Sequence, residues 1–159
     1  MKTINTYINE KLRLTNKRTY TCQPVDKDEL QQIIIQRIND EGNECDLNDI
    51  DVSKIKDMSY LCNPYRDFEF INFNGDVSMW NVSNVENMGY MFGYCNNFNC
   101  DLSQWDTSNV KNMFTMFRGC KLFNQDLNSW DVSKVENMWF AFHDCPTTPT
   151  WYDKDKWEQ

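Results

Sequence analysis

Apolar and polar positions along residues 45–145 follow a fixed order that returns every 25 residues. Val85, Met88, Phe92 and Cys95 are followed by Val110, Met113, Phe117 and Cys120, and then by Val135, Met138, Phe142 and Cys145. Steps of three and four residues keep side chains on one face of a helix, so the spacing predicts one amphipathic helix per unit with this stripe turned inward. Ser83 and Ser133 stand three residues before Glu86 and Glu136, as in a capping box; Ser53 and Ser108 keep the cap but have Lys at the third position. Phe98-Asn-Cys-Asp-Leu102 and Phe123-Asn-Gln-Asp-Leu127 read as short strands, which in stacked copies would form a parallel sheet with neighbours about 4.8 Å apart.

In register, Asp76-Val-Ser-Met-Trp80 is followed by Asp101-Leu-Ser-Gln-Trp105 and Asp126-Leu-Asn-Ser-Trp130, and Cys45-Asp-Leu-Asn-Asp-Ile50 is a diverged first copy. A period of this size means one supersecondary unit per repeat, stacked so that neighbours bury a continuous core. The expected fold is α/β, a short leucine-rich-repeat-like solenoid with a stacked parallel sheet and one helix per repeat. Residues 1–44 form a helical capping segment, 45–145 the four repeats and 146–159 an aromatic cap.

Phe98-Asn99-Cys100-Asp101-Leu102-Ser103-Gln104-Trp105-Asp106 and Phe123-Asn124-Gln125-Asp126-Leu127-Asn128-Ser129-Trp130-Asp131-Val132-Ser133 carry a resemblance. They are similar to the BspA-like leucine-rich repeat proteins, whose unit is close to F-N-x-D-L-S-x-W-D-V-S-N-V-x-N-M-x-x-M-F-x-x-A. Cys95, Cys120 and Cys145 stand where that unit often has Ala. The resemblance implies a non-catalytic protein-binding role, since family members are adhesins and interaction proteins of bacteria and of mobile or viral genomes.

Ahead of the repeats, Ile4, Tyr7, Ile8 and Leu12 sit at helical spacing. This segment is expected to cover the open end of the stack. Alternatively it is an address: it looks like the capsid-targeting leaders of T-even-type phage head proteins, and Ile8-Asn9-Glu10 is similar to the sites that head proteases cut. Asp26 and Glu29 make a capping box for a second helix, with Leu30, Ile33, Ile34 and Ile38 on one face and Gly42 at its end. At the far end Trp151 and Tyr152 either close the stack or mediate self-association.

The step from Asp46 to Asp76 is 30 residues, so five extra residues lie within 63–72. Insertions in repeat stacks become loops on one face, and Tyr65, Arg66, Phe68 and Phe70 are of the kinds that dominate partner contacts. Some of these aromatics must also fill the gap that the insertion opens. Asp76, Asp101 and Asp126, continued by Asp46, form an acidic column beside a second one of Asp51, Asn81, Asp106 and Asp131. Each carboxylate is expected to accept N–H bonds in its own tight turn, while the row as a whole attracts a basic partner. The Trp80, Trp105, Trp130 column is expected in the core because its first member is Ile50, and the Asn87, Asn112, Asn137 column is expected to be structural.

Charge sharpens the choice of partner. The net charge is −8, and residues 46–150 hold fourteen acids against seven Lys or Arg. A phosphate backbone would be repelled, so a nucleic-acid partner is not expected, unless the protein imitates nucleic acid to inhibit a basic host protein. The seven cysteines follow the repeat rather than metal-ligand spacing, and so read as reduced core thiols with no metal and no cofactor. His143 and Cys145 lack an orienting third group, so no enzyme is expected. No 18-residue apolar run and no signal-like leader is present, which points to a cytoplasmic protein or, if the leader is an address, a virion component.

Overall fold

A computed structural model describes residues 20–159. The first amphipathic segment and the leader reading fall outside these residues. The described elements are α1 (Lys27–Glu41), a 3-10 helix (Phe68–Asn72) and α2 (Lys154–Trp157).

The expectation of a stacked parallel sheet with one helix per repeat is overturned. Among the described residues the bridges between neighbouring repeats are isolated parallel ones and build no strand, Asp46 with Asp76, Asp57 with Asn87, Asn87 with Asn112 and Asn112 with Asn137. No capping box forms at Ser83 or Ser133, and neither 98–102 nor 123–127 is a strand.

What forms instead is a chain of tight turns. In one repeat Trp105 N–H bonds to Leu102 O (3.1 Å), Val110 to Thr107 (2.9 Å), Met116 to Met113 (3.1 Å), Cys120 to Phe117 (2.9 Å) and Phe123 to Cys120 (3.2 Å). The first and fourth residues of each turn are buried. Three of the five turns follow an Asp or Asn whose Oδ1 accepts the N–H two residues on: Asp101 from Ser103 (2.9 Å), Asp106 from Ser108 (3.1 Å) and Asn112 from Phe114 (3.0 Å). Such side chains offer the backbone a competing partner, which is why they suit turns and not helix interiors. Three of them per repeat leave no uninterrupted stretch for a helix.

Tyr60, Tyr90, Thr115 and Phe140 occupy one column and share a left-handed backbone, with φ of 60°, 59°, 58° and 56°. Each is the third residue of its turn, where a type II turn demands positive φ. Around this column alternate N–H groups all point toward the next repeat: Met88, Tyr90, Phe92 and Tyr94 donate to the carbonyls of Asn112, Phe114, Met116 and Arg118 at 2.8, 2.8, 3.0 and 2.6 Å. The stack therefore has a carbonyl end and an N–H end.

Both ends are covered. Helix α1 begins as its sequence predicts, with Asp26 Oδ1 accepting Glu29 N–H (2.9 Å) and Glu29 accepting Val25 N–H (2.7 Å), and it stops at Gly42 with φ 92°. It lays Leu30, Ile34 and Ile38 on the core and presents Gln31 to the carbonyl end. At the N–H end Trp157 O accepts from Phe140 (2.9 Å).

Between the caps, Phe73, Phe98 and Phe123 stack at 6.0 Å per step, and Phe92, Phe117 and Phe142 stack beside them. The tryptophan column lies in the core, each ring 4% exposed. Its indole N–H groups reach back one repeat, from Trp80 to Leu47 O (2.8 Å), Trp105 to Val77 O (3.1 Å), Trp130 to Leu102 O (2.9 Å) and Trp151 to Leu127 O (2.9 Å). Trp151 is thus the last member of the column. Tyr152 is buried and Trp151 partly so.

Candidate functional site

The insertion interrupts the turn rows where the first repeat meets the second. Asn63 is buried and its amide donates to Gly93 O (2.9 Å) and Tyr90 O (3.2 Å), while its Oδ1 accepts Tyr65 N–H (2.9 Å). One side chain therefore ties the loop to the next repeat. Asp67 then caps the 3-10 helix by accepting Glu69 N–H (3.1 Å), and Ile71 O accepts Asn96 N–H (3.0 Å).

Of the four insertion residues singled out by sequence, Phe70 is fully buried, edge-on to Phe73 at 5.8 Å, so it fills the gap and is unavailable to a partner. The other three face outward. Tyr65 is 75% exposed and Phe68 82%, and together with Arg66 they line a hollow of about 290 Å³ completed by Pro64, Ile71, Tyr94 and Asn96. Tyr65 meets Tyr94 edge-on at 4.9 Å. Arg66 lies 3.8 Å from Asp28 of α1.

Tyr94 and Asn96 also wall a second, more open hollow of about 680 Å³ with Gly119, Lys121, Asp144, Cys145 and Pro146. Gly119 has φ 72°, and a Cβ there would stand 2.9 Å from the Tyr94 ring, so this hollow depends on glycine. Arg118 stacks over Tyr94 at 5.8 Å and Phe140 at 5.4 Å. Sequence reading missed Asn63, Tyr94, Asn96 and Arg118. The available signal was that Tyr94 and Arg118 stand just before the Cys column, in repeat positions the insertion had to be packed against.

The acidic column serves its turns. Asp46, Asp76, Asp101 and Asp126 accept the N–H of Asn48, Ser78, Ser103 and Asn128 at 2.9, 3.0, 2.9 and 2.9 Å. At Asp76 burial pushes the carboxyl pKa up, but the Ser78 hydroxyl and N–H, with the Asn48 amide and the Cys100 thiol, together outweigh it and the net shift is down. All four residues remain exposed, so their charge still faces solvent. Asp76, Asp101 and Asp126 belong to a different turn of the repeat from the insertion hollow, and the structure does not bring the two sets together.

In the asparagine column, Asn87, Asn112 and Asn137 accept N–H groups in their own turns, and Asn112 Nδ2 donates to Asn87 Oδ1 (2.8 Å). His143 faces carboxylates, Glu158 at 3.3 Å and Asp144 at 3.6 Å. Cys145 Sγ donates to Phe117 O (2.9 Å), and burial pushes its pKa up to about 12. A thiol so placed is no ready nucleophile. Cys62, Cys95 and Cys120 are pushed well above the usual thiol range by burial. Among the described residues no group of three or more His, Cys, Asp or Glu is placed to hold a metal ion, and no helix is long and apolar enough to cross a membrane.

The model of a protein family described as "Mycoplasma protein of unknown function, DUF285" matches residues 31–155. No curated protein and no solved structure matches the chain.

Proposed function

We propose, from the premise that this chain belongs to the DUF285 family, that it is a non-catalytic protein-binding repeat scaffold whose contact surface is the insertion. The observation that carries this reading is the exposure of Tyr65 and Phe68, at 75% and 82%, on either side of an apolar hollow. Of the other aromatics of the repeats, the most exposed are Tyr60 and Trp139, each at 37%. Large exposed aromatics beside an Arg are the residue types that carry binding energy at protein interfaces. The similarity of the 25-residue unit to BspA-like repeats supports the same role. The free cysteines, buried for the most part, suit a reducing cytoplasm.

A second reading places a basic partner on the Asp46, Asp76, Asp101, Asp126 row, which the exposed charges favour. Affinity capture with three proteins separates the two. The wild type is compared with Tyr65→Ser/Phe68→Ser and with Asp76→Asn/Asp101→Asn/Asp126→Asn, in which Oδ1 is kept so that each turn can still close. Loss of a partner in the first variant alone assigns the insertion, and loss in the second alone assigns the acidic row. A partner that both variants retain removes both surfaces from consideration.

A further inference from the structure

The two hollows adjoin, sharing Tyr94 and Asn96, and are taken together as a groove with an apolar end and a polar end. Pro64, Tyr65, Phe68 and Ile71 make the apolar end. Its charge runs against that of the molecule. In a chain of net charge −8, the lining carries Arg66 and Lys121 against a single carboxylate, Asp144, and Arg118 adds a third cation behind the Tyr94 ring. Among the described residues Lys121 has no ion pair and Arg118 Nε is buried without a hydrogen-bond partner, while Arg66 has only the distant Asp28. The side-chain amide of Asn96 is likewise unengaged in the middle of the groove. An amide of that kind offers two donors and one acceptor, which suits an extended peptide backbone.

We infer that this groove binds an extended acidic segment of a partner protein, with one apolar side chain anchored between Tyr65 and Phe68 and carboxylates directed toward Arg66 and Lys121. The inference rests on the docking reading above and names its ligand class. A basic segment would meet two lining cations and be repelled. A neutral one would leave them unpaired.

A phage-displayed library of random twelve-residue peptides, panned on the immobilised full chain, tests this directly. Enriched peptides are expected to carry Asp or Glu near a Leu, Phe or Trp. Measured by fluorescence anisotropy at low salt, their affinity is expected to fall about tenfold or more in Arg66→Glu and in Lys121→Glu, and in Phe68→Ser, with little change in Lys134→Glu. Neutral or basic winners would overturn the inference, as would equal losses in Lys121→Glu and Lys134→Glu. If no peptide binds while Tyr65→Ser/Phe68→Ser still loses a captured partner, the acidic-segment inference falls and the docking reading stands. If neither effect is seen, both fall.

Discussion

The side-chain amide of Gln31 donates to the carbonyl oxygens of Leu61, at 2.6 Å, and Tyr60, at 3.3 Å. The Leu61 carbonyl stands in the row whose later members, Met91, Met116 and Ala141, accept from the preceding repeat, and no repeat precedes it. Gln31→Leu would keep the helix propensity and much of the buried volume but orphan two carbonyls. It is expected to destabilise the fold by about 1–3 kcal/mol, the cost of leaving a buried acceptor unmade. Urea unfolding followed by circular dichroism measures this; an unchanged midpoint would show that water replaces the amide without loss.

The indole hydrogen bonds make a second prediction, which separates ring volume from ring chemistry. Trp105→Phe retains an aromatic in the column but removes one of the two donors to Val77 O, which keeps the Trp80 N–H at 3.1 Å, for an expected loss of about 0.5–1.5 kcal/mol. Trp105→Ala adds a cavity, and the loss is expected to reach about 3–5 kcal/mol. If the two variants are equally stable, the column holds the stack by neither route.

Acid should unfold the stack. At Asp57 and Asp76 burial pushes the carboxyl up, but the hydrogen bonds from Ser59 and Lys27 at the first, and from Ser78, Asn48 and Cys100 at the second, together hold it below the usual 3.8. Asp106 is lowered by the Ser108 hydroxyl and N–H, and Asp131 by the Ser133 N–H and hydroxyl. A carboxyl whose folded pKa is depressed contributes stability that is present above the unfolded value, about 3.9, and lost as pH falls through the folded value. Stability is therefore expected to be level from neutral pH down to about 5 and to drop below about 4. Asp76→Asn keeps the Oδ1 acceptor and removes one titrating group. Its denaturation midpoint should fall less steeply between pH 4 and 2 than that of the wild type.

The repeat period and its core columns were legible from the chain because both follow from which positions are apolar and how often they return. The local conformation was not. Phe92 and Cys95 are three apart, and that spacing marks both a helical stripe and the two buried ends of a single turn. The deciding residues are Asn81 and Asn87, whose side chains bond the N–H groups of Ser83 and Gly89 and so close turns where a helix was expected. Ser83 looks like a helix cap because it precedes Glu86, yet its N–H and hydroxyl are both spent on Asn81 Oδ1, at 3.2 and 2.7 Å. At the candidate site the insertion could be located by counting. That Phe70 turns inward while Phe68 turns outward depends on the 3-10 helix of 68–72, for which Asp67 was the only local signal.

The left-handed column offers the sharpest test of the turn architecture. Thr115 has φ 58°, is 1% exposed and leaves its hydroxyl buried without a partner. A β-branched residue in this region costs about 1–3 kcal/mol in backbone strain, and an unmade buried hydroxyl costs about 1–3 kcal/mol more. Thr115→Gly removes both. Against this, it gives up the buried methyl, worth about 0.8 kcal/mol, and adds unfolded-state freedom of about 0.5–1 kcal/mol. The gains exceed the losses, so Thr115→Gly is expected to raise stability by about 1 kcal/mol, read as a higher urea midpoint at unchanged slope. Thr115→Val supplies the counterpart: it deletes the hydroxyl but keeps the strain, so it should fall between wild type and Thr115→Gly. If Thr115→Val is the more stable of the two, the hydroxyl and not the left-handed backbone is the strained feature of this turn.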